Sequence, residues 1–226
     1  MKTLTVTLLT DGTSDRTLLP IVQFLLDKWS PFPHRTLFAD GLHSGALNAR
    51  LPRVIELFPC DLLFIHRDAE REPLETRVQE IQTALAESAP QHPPHICLVP
   101  VRMTESWLLL DELAIRSAAG NPDGRTPLKL PKAAAVEGLA DPKSKLFDSL
   151  TAAAEVTGRH RRRFSPEAAR HRVAEILDPS VLRQLASFQF AEKQVIDFFR
   201  TNLTVPSEKT HKVTPGPSKQ RDRSQG

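Results

Sequence analysis

Two short acidic turns hold the residue types best suited to chemistry in this chain. Thr10-Asp11-Gly12-Thr13-Ser14-Asp15 follows the run Leu4-Thr5-Val6-Thr7-Leu8-Leu9, and His66-Arg67-Asp68-Ala69-Glu70 follows Asp61-Leu62-Leu63-Phe64-Ile65. Short apolar runs ahead of helical segments read as parallel strands, and in open α/β sheets ligands gather beyond the carboxyl ends of such strands. If the two runs are neighbouring strands, Asp11, Asp15, Asp68 and Glu70 meet at one edge. Carboxylates crowded in this way call for protons or a cation, so a divalent metal site is the leading expectation. Asp68 and Glu70, two residues apart in extended chain, are expected to face the same side. Glu105, in Arg102-Met103-Thr104-Glu105-Ser106-Trp107 just after a further strand-like run, is the fifth candidate ligand.

Each of these residues also has an ordinary reading. Asp11 suits a turn beside Gly12, Asp15 and Glu105 suit the first turn of a helix, and Asp68 and Glu70 suit a solvated loop ahead of Pro73. Arg102 reads as an ion-pair partner of Glu105 or as a contact for a phosphate oxygen. His66 reads either as a core histidine with one bonded nitrogen or as a base or ligand beside a metal. Positive charge collects at Arg159-His160-Arg161-Arg162-Arg163 and in the tail after Val205, a pattern that fits phosphate contact and a solvated surface equally well.

Several other chemistries are excluded. His66-Arg67-Asp68 is not a kinase catalytic loop, because the position five residues after the Asp is Pro73 rather than Asn. The chain has no GxxxxGK[ST] phosphate loop, no GxGxxG after the first strand, no GxSxG elbow and no HExxH motif. Cys60 and Cys97 have no CxxC spacing and read as reduced thiols.

The elements that would position the acids alternate regularly. Strands are expected at 3–9, 36–39, 61–66 and 95–101, and helices after residue 13, at 44–57, at 74–86 and at 104–118. Pro20 is expected to kink the first helix or delay its start. This order predicts an α/β fold with a mainly parallel four-stranded sheet flanked by helices. Residues 121–142 read as an extended loop. Beyond it, Asp141-Pro142, Ser165-Pro166 and Asp178-Pro179 each place a capping side chain before a proline, which predicts helices over 142–156, 166–177 and 179–200. The domain reading is an α/β domain over 1–120, a loop and helical extension over 121–204, and a basic tail over 205–226 without apolar pattern, expected to be disordered.

The chain has 226 residues, 40% of them hydrophobic, and a net charge of +3. That supports a sizeable core and offers no bilayer-length apolar run. The N-terminus runs straight into a strand without a signal-peptide pattern, so a cytoplasmic location is expected.

The order strand, acid-Gly, helix, strand, helix, strand, Asp-x-acid resembles a Toprim domain, the fold of topoisomerases, primases and the nucleases of the overcoming-lysogenization-defect class. By that resemblance Asp11 stands for the first acid, used in proton transfer or metal binding, and Asp68 and Glu70 stand for the magnesium-binding pair. The chain departs from the Toprim pattern at both places, with Asp for Glu at Asp11 and Glu for Asp at Glu70. Most of residues 3–200 resembles a bacterial Toprim-related family, domain of unknown function 4276, through Thr10–Asp15, His66–Glu72, Val99–Leu108 and Ala119-Gly120-Asn121-Pro122. The resemblance implies a Mg2+ (or Mn2+) cofactor and a phosphodiester-processing hydrolase, a nuclease above all, acting in phage defence. In that reading Asp11, Asp68 and Glu70 are catalytic, Asp15 and Glu105 complete the metal site, and Arg67, Arg102, Arg161, Arg162 and Arg163 neutralise phosphate. The alternatives are a non-catalytic Toprim-like subunit that binds an ATPase partner or nucleic acid, and hydrolysis of a small phosphate ester.

Overall fold

A computed structural model of the chain describes residues 3–157 and 163–203. The expectations for Arg161, Arg162 and the tail over 205–226 lie outside the described residues. Four strands form one sheet: β1 (Leu4–Leu9), β2 (His34–Phe38), β3 (Leu62–His66) and β4 (His95–Leu98). Their order is β2-β1-β3-β4 and every pairing is parallel. The expected α/β layout is therefore what the chain forms, and it is consistent with a Toprim-like arrangement.

The helices that flank the sheet follow from side-chain alternation. Val6 and Leu8 of β1, Leu62 and Phe64 of β3, and Ile96 and Leu98 of β4 point into one core, while Leu9, Leu63, Ile65 and Cys97 point into the other. Helices α2 (Leu47–Leu57) and α3 (Leu74–Ser88) cover the second face. Helix α1 (Leu19–Trp29) covers the first, preceded by a 3-10 segment over Thr13–Leu18. Pro20 falls in the first turn of α1, where its missing N–H costs no hydrogen bond, so it delays the helix rather than kinking it.

After β4 the chain departs from the expected single helix. A short α4 (Glu105–Leu108) ends, and α5 (Glu112–Ala118) starts afresh under an Asp111 cap whose carboxylate accepts the Ala114 N–H at 2.9 Å. A helical turn, α6 (Ala133–Val136), interrupts the stretch expected to be loop. Helices α7 (Pro142–Ala154) and α8 (Pro166–Ile176) start at their predicted Asp141 and Ser165 caps. The third cap, Asp178, opens only a 3-10 segment, Pro179–Gln184, and the long α9 (Ala186–Leu203) follows.

The extension shares the core of the sheet's first face. The fully buried Trp107 of α4 donates its indole N–H to Ser187 of α9 at 2.9 Å and meets the Phe188 ring edge-on at 5.6 Å. At the outer edge of β4, the Gln194 amide accepts from Cys97 N–H at 2.9 Å and donates to its carbonyl at 3.0 Å. One side chain thus occupies the edge as a further strand would. Among the described residues no helix is long and apolar enough to cross a membrane.

Candidate active site at the carboxyl edge of the sheet

The chain leaves β1 for β2 on one side and returns to β3 on the other, so the sheet's topological switch lies between β1 and β3. Both acidic turns emerge there. Pairing continues past the ends of the strands: Arg67 N–H donates to Leu98 O at 3.2 Å, Ala69 N–H to Pro100 O at 2.9 Å, and Glu70 N–H to Arg102 O at 2.7 Å. The β3 turn and the segment entering α4 are thereby locked side by side.

At the centre is His66, completely buried at the end of β3. Its Nε2 lies 3.1 Å from Asp68 Oδ1 and 3.3 Å from Thr104 Oγ1. Asp68 Oδ1 also accepts the Thr104 N–H at 2.9 Å and lies 3.3 Å from its hydroxyl, so one carboxylate oxygen carries all the fixing bonds. The Asp68 side chain is 27% exposed. On the other side, Nδ1 of His66 lies 3.7 Å from Asp15 Oδ2 and makes no hydrogen bond. Asp15 is buried and its Oδ2 accepts the Gly12 N–H at 2.9 Å. Two aspartates therefore bracket one imidazole.

The electrostatics follow from this crowding. Burial lowers the proton affinity of His66, but the hydrogen bond to Asp68 and the negative charges of Asp68, Asp15 and Asp11 outweigh it, leaving the pKa above its ordinary 6.5. Burial likewise raises the Asp15 carboxyl above 3.8, opposed by His66 and Gly12 and assisted by the charges of Asp68 and Glu105. A histidine whose folded pKa is raised contributes stability that is complete below the unfolded pKa, about 6.5, and is lost as pH rises through the folded pKa. The urea midpoint of the wild type should therefore fall between pH 6 and pH 8.5 more than that of His66→Gln. Equal slopes in that window would contradict a raised His66 pKa.

The other predicted residues divide clearly. Asp11, 34% exposed, is held by two guanidiniums: Arg50 Nη2 at 2.8 Å from Oδ1, and Arg67 Nε at 3.0 Å from Oδ2. Arg67, expected to meet phosphate, is thus engaged with Asp11 and lies 3.7 Å from Glu80. Glu105 is buried against Arg170 of α8, Oε1 to Nη1 at 2.6 Å. Arg102, read as its partner, does not fill that role. Arg170 also donates to the Ser14 carbonyl at 3.1 Å, tying the extension to the Asp15 turn. Arg163 is an exposed turn residue at the start of the segment leading to α8.

Glu70 departs most from expectation. Its φ is +54° and that of Arg102 is +66°, so both residues of the Glu70–Arg102 backbone bond are left-handed. The extended geometry that would point Asp68 and Glu70 to one side is absent. The Glu70 side chain is 71% exposed and accepts from Arg77 of α3 at 3.2 Å. Two non-glycine residues in a sparsely populated region, each costing about 1–3 kcal/mol, mark this junction as over-determined by its surroundings.

Sequence reading passed over Arg50, Thr104 and Arg170. Two of them carry a signal. Arg50 lies on the apolar face of α2 with Leu47, Leu51 and Val54, and Arg170 lies on that of α8 with Ala169, Val173 and Ala174; all of these residues are buried. A charged residue on a buried stripe requires a partner, and each of these arginines finds it at the acidic edge.

Among the described residues no group of three or more His, Cys, Asp or Glu side chains is arranged to hold a metal ion. Comparison with protein-family models, curated proteins and solved structures finds no match for the chain.

Proposed function

We propose that this chain is a phosphodiester-processing hydrolase dependent on Mg2+ or Mn2+, acting as a nuclease. The observation that carries the reading is the convergence of Asp15 and Asp68 on the buried His66, with Asp11 beside them, at the sheet's topological switch. Asp15 and Asp68 are donors of the type a hard divalent cation takes; because no group of three such side chains is arranged to hold a metal among the described residues, the remaining positions would fall to water and substrate phosphates. Both carboxylates are oxygen donors, their mutual repulsion is the kind a cation relieves, and magnesium is commonly held by one or two carboxylates together with substrate phosphates. Asp68 and Asp15 would hold the ion. When bound, it supplies Lewis acidity toward a phosphoryl oxygen.

The chain's own residues do the rest. Thr104 and His66 fix Asp68 through one oxygen and orient the other. His66, hydrogen-bonded to Asp68 and raised in proton affinity, is placed to hold a proton. Arg50 and Arg67 hold Asp11 in place. The resemblance to Toprim-related proteins supports the same chemistry, and by that resemblance it would serve in phage defence.

A second reading, a non-catalytic accessory subunit, is favoured by one observation: Asp11, Glu70 and Glu105 are each already paired with arginine. Incubation of the full chain with labelled DNA, RNA and a small aryl phosphodiester, with and without manganese, separates the two. Metal-stimulated cleavage of a nucleic acid is expected. No turnover of any substrate would favour the accessory role.

A further inference from the structure

A cleft of about 460 Å3 opens next to the acidic edge, between the 3-10 segment with α1 on one side and α8 on the other. Arg16, Thr17, Leu19, Pro20, His171 and Glu175 line it. Its place is set by sequence neighbours of the site: Arg16 follows Asp15, and His171 follows Arg170, which bonds both Glu105 and the Ser14 carbonyl.

Among the described residues Arg16 and His171, the two nitrogen donors that line it, have no side-chain acceptor. The Arg16 guanidinium lies over the Phe38 ring, 5.0 Å from its centroid. Stacking on a ring face leaves the in-plane N–H fork available for a bidentate acceptor. Among the described residues neither Arg16 nor His171 makes a side-chain hydrogen bond or an ion pair; Asp40 feels Arg16 only through space. Burial and the positive charges of Arg170 and Arg16 lower the proton affinity of His171, opposed by the charge of Glu175. Glu175, one helical turn along from His171, is the one carboxylate lining the cleft.

We propose that this cleft seats a phosphate of a phosphodiester strand, with Arg16 and His171 taking its non-bridging oxygens, next to the phosphate processed at the acids. The inference rests on the phosphodiester reading and extends it: the substrate is a strand with a second phosphate in reach, rather than an isolated ester. Glu175 opposes that phosphate, so removing its charge strengthens binding.

The test is performed on the full chain in EDTA, so that its outcome is independent of any metal site. Fluorescence anisotropy with a labelled single-stranded oligonucleotide should show the Arg16→Gln/His171→Gln variant binding about tenfold more weakly, with a salt slope reduced by about one. Glu175→Gln should bind more tightly than the wild type. Manganese binding should be unchanged in both variants. Inorganic phosphate, followed through the His171 imidazole resonance, forms the second arm. A shift with phosphate but no oligonucleotide binding would overturn the strand and assign the cleft to a free phosphate ester. Unchanged oligonucleotide affinity in both variants, with no response to phosphate, would overturn the site altogether. Absence of manganese binding in the wild type would overturn the metal site and leave all of these readings in place, so failure of the cleft and failure of the metal site are distinguishable.

Discussion

Glu105→Ala is expected to destabilise the protein by about 3–5 kcal/mol, because it strands a buried guanidinium. Glu105 and Arg170 are both 6% exposed and pair at 2.6 Å across 65 residues of sequence. Neither charge has ready access to water. The same arginine donates to Ser14, so the loss would also loosen the turn that carries Asp15. The paired substitution Glu105→Met/Arg170→Met removes both charges and keeps the volume filled, so it should recover most of the loss. Urea unfolding of the three proteins measures this directly. A change below about 1 kcal/mol for Glu105→Ala, the range of an exposed pair, would contradict the burial described. The result also bears on the site: the Glu105 carboxylate is engaged by Arg170, which in turn holds the turn that carries Asp15.

Asp68→Asn is expected to reduce metal-stimulated cleavage by at least about 100-fold while leaving the fold intact. Asparagine keeps the shape of the side chain and can still accept the Thr104 N–H through Oδ1, so the β3–α4 junction should survive. What it removes is the negative charge facing His66 and the hard oxygen donor on the partly exposed side. Steady-state rates in manganese, read beside thermal melting, separate these effects. Loss of activity with a cooperative melting transition retained, lowered only by the lost charge pairing with His66, is the expected pair of results. Equal rates in mutant and wild type would detach Asp68 from the chemistry.

Much of this arrangement is legible in the sequence because it follows from local rules. A central strand buried on both faces reads as an unbroken apolar run, which is why Leu62–Ile65 is unmistakable. The Asp141 and Ser165 caps before proline give helix starts to the residue. Three features resist such reading. The stop between α4 and α5 depends on Asp111 capping a new helix inside what reads as one continuous helical stretch. The position of Glu70 depends on a left-handed backbone stabilised by the Arg102 carbonyl, so spacing of two residues misplaces its carboxylate. The partners of the acids, Arg50 and Arg170, arrive from α2 and α8, and only their presence on otherwise apolar helix faces announces them. His66 shows the same limit. The sequence leaves it between core residue and participant; the structure buries it and brackets it between Asp15 and Asp68.

The central claim is that Asp15 and Asp68 hold a divalent cation beside His66. Isothermal calorimetry of the full chain with manganese, repeated on Asp68→Asn and Asp15→Asn, tests it most directly. A single saturable site in the wild type, lost in both variants, is the predicted result. No binding in the wild type, or binding that both variants retain, would contradict it.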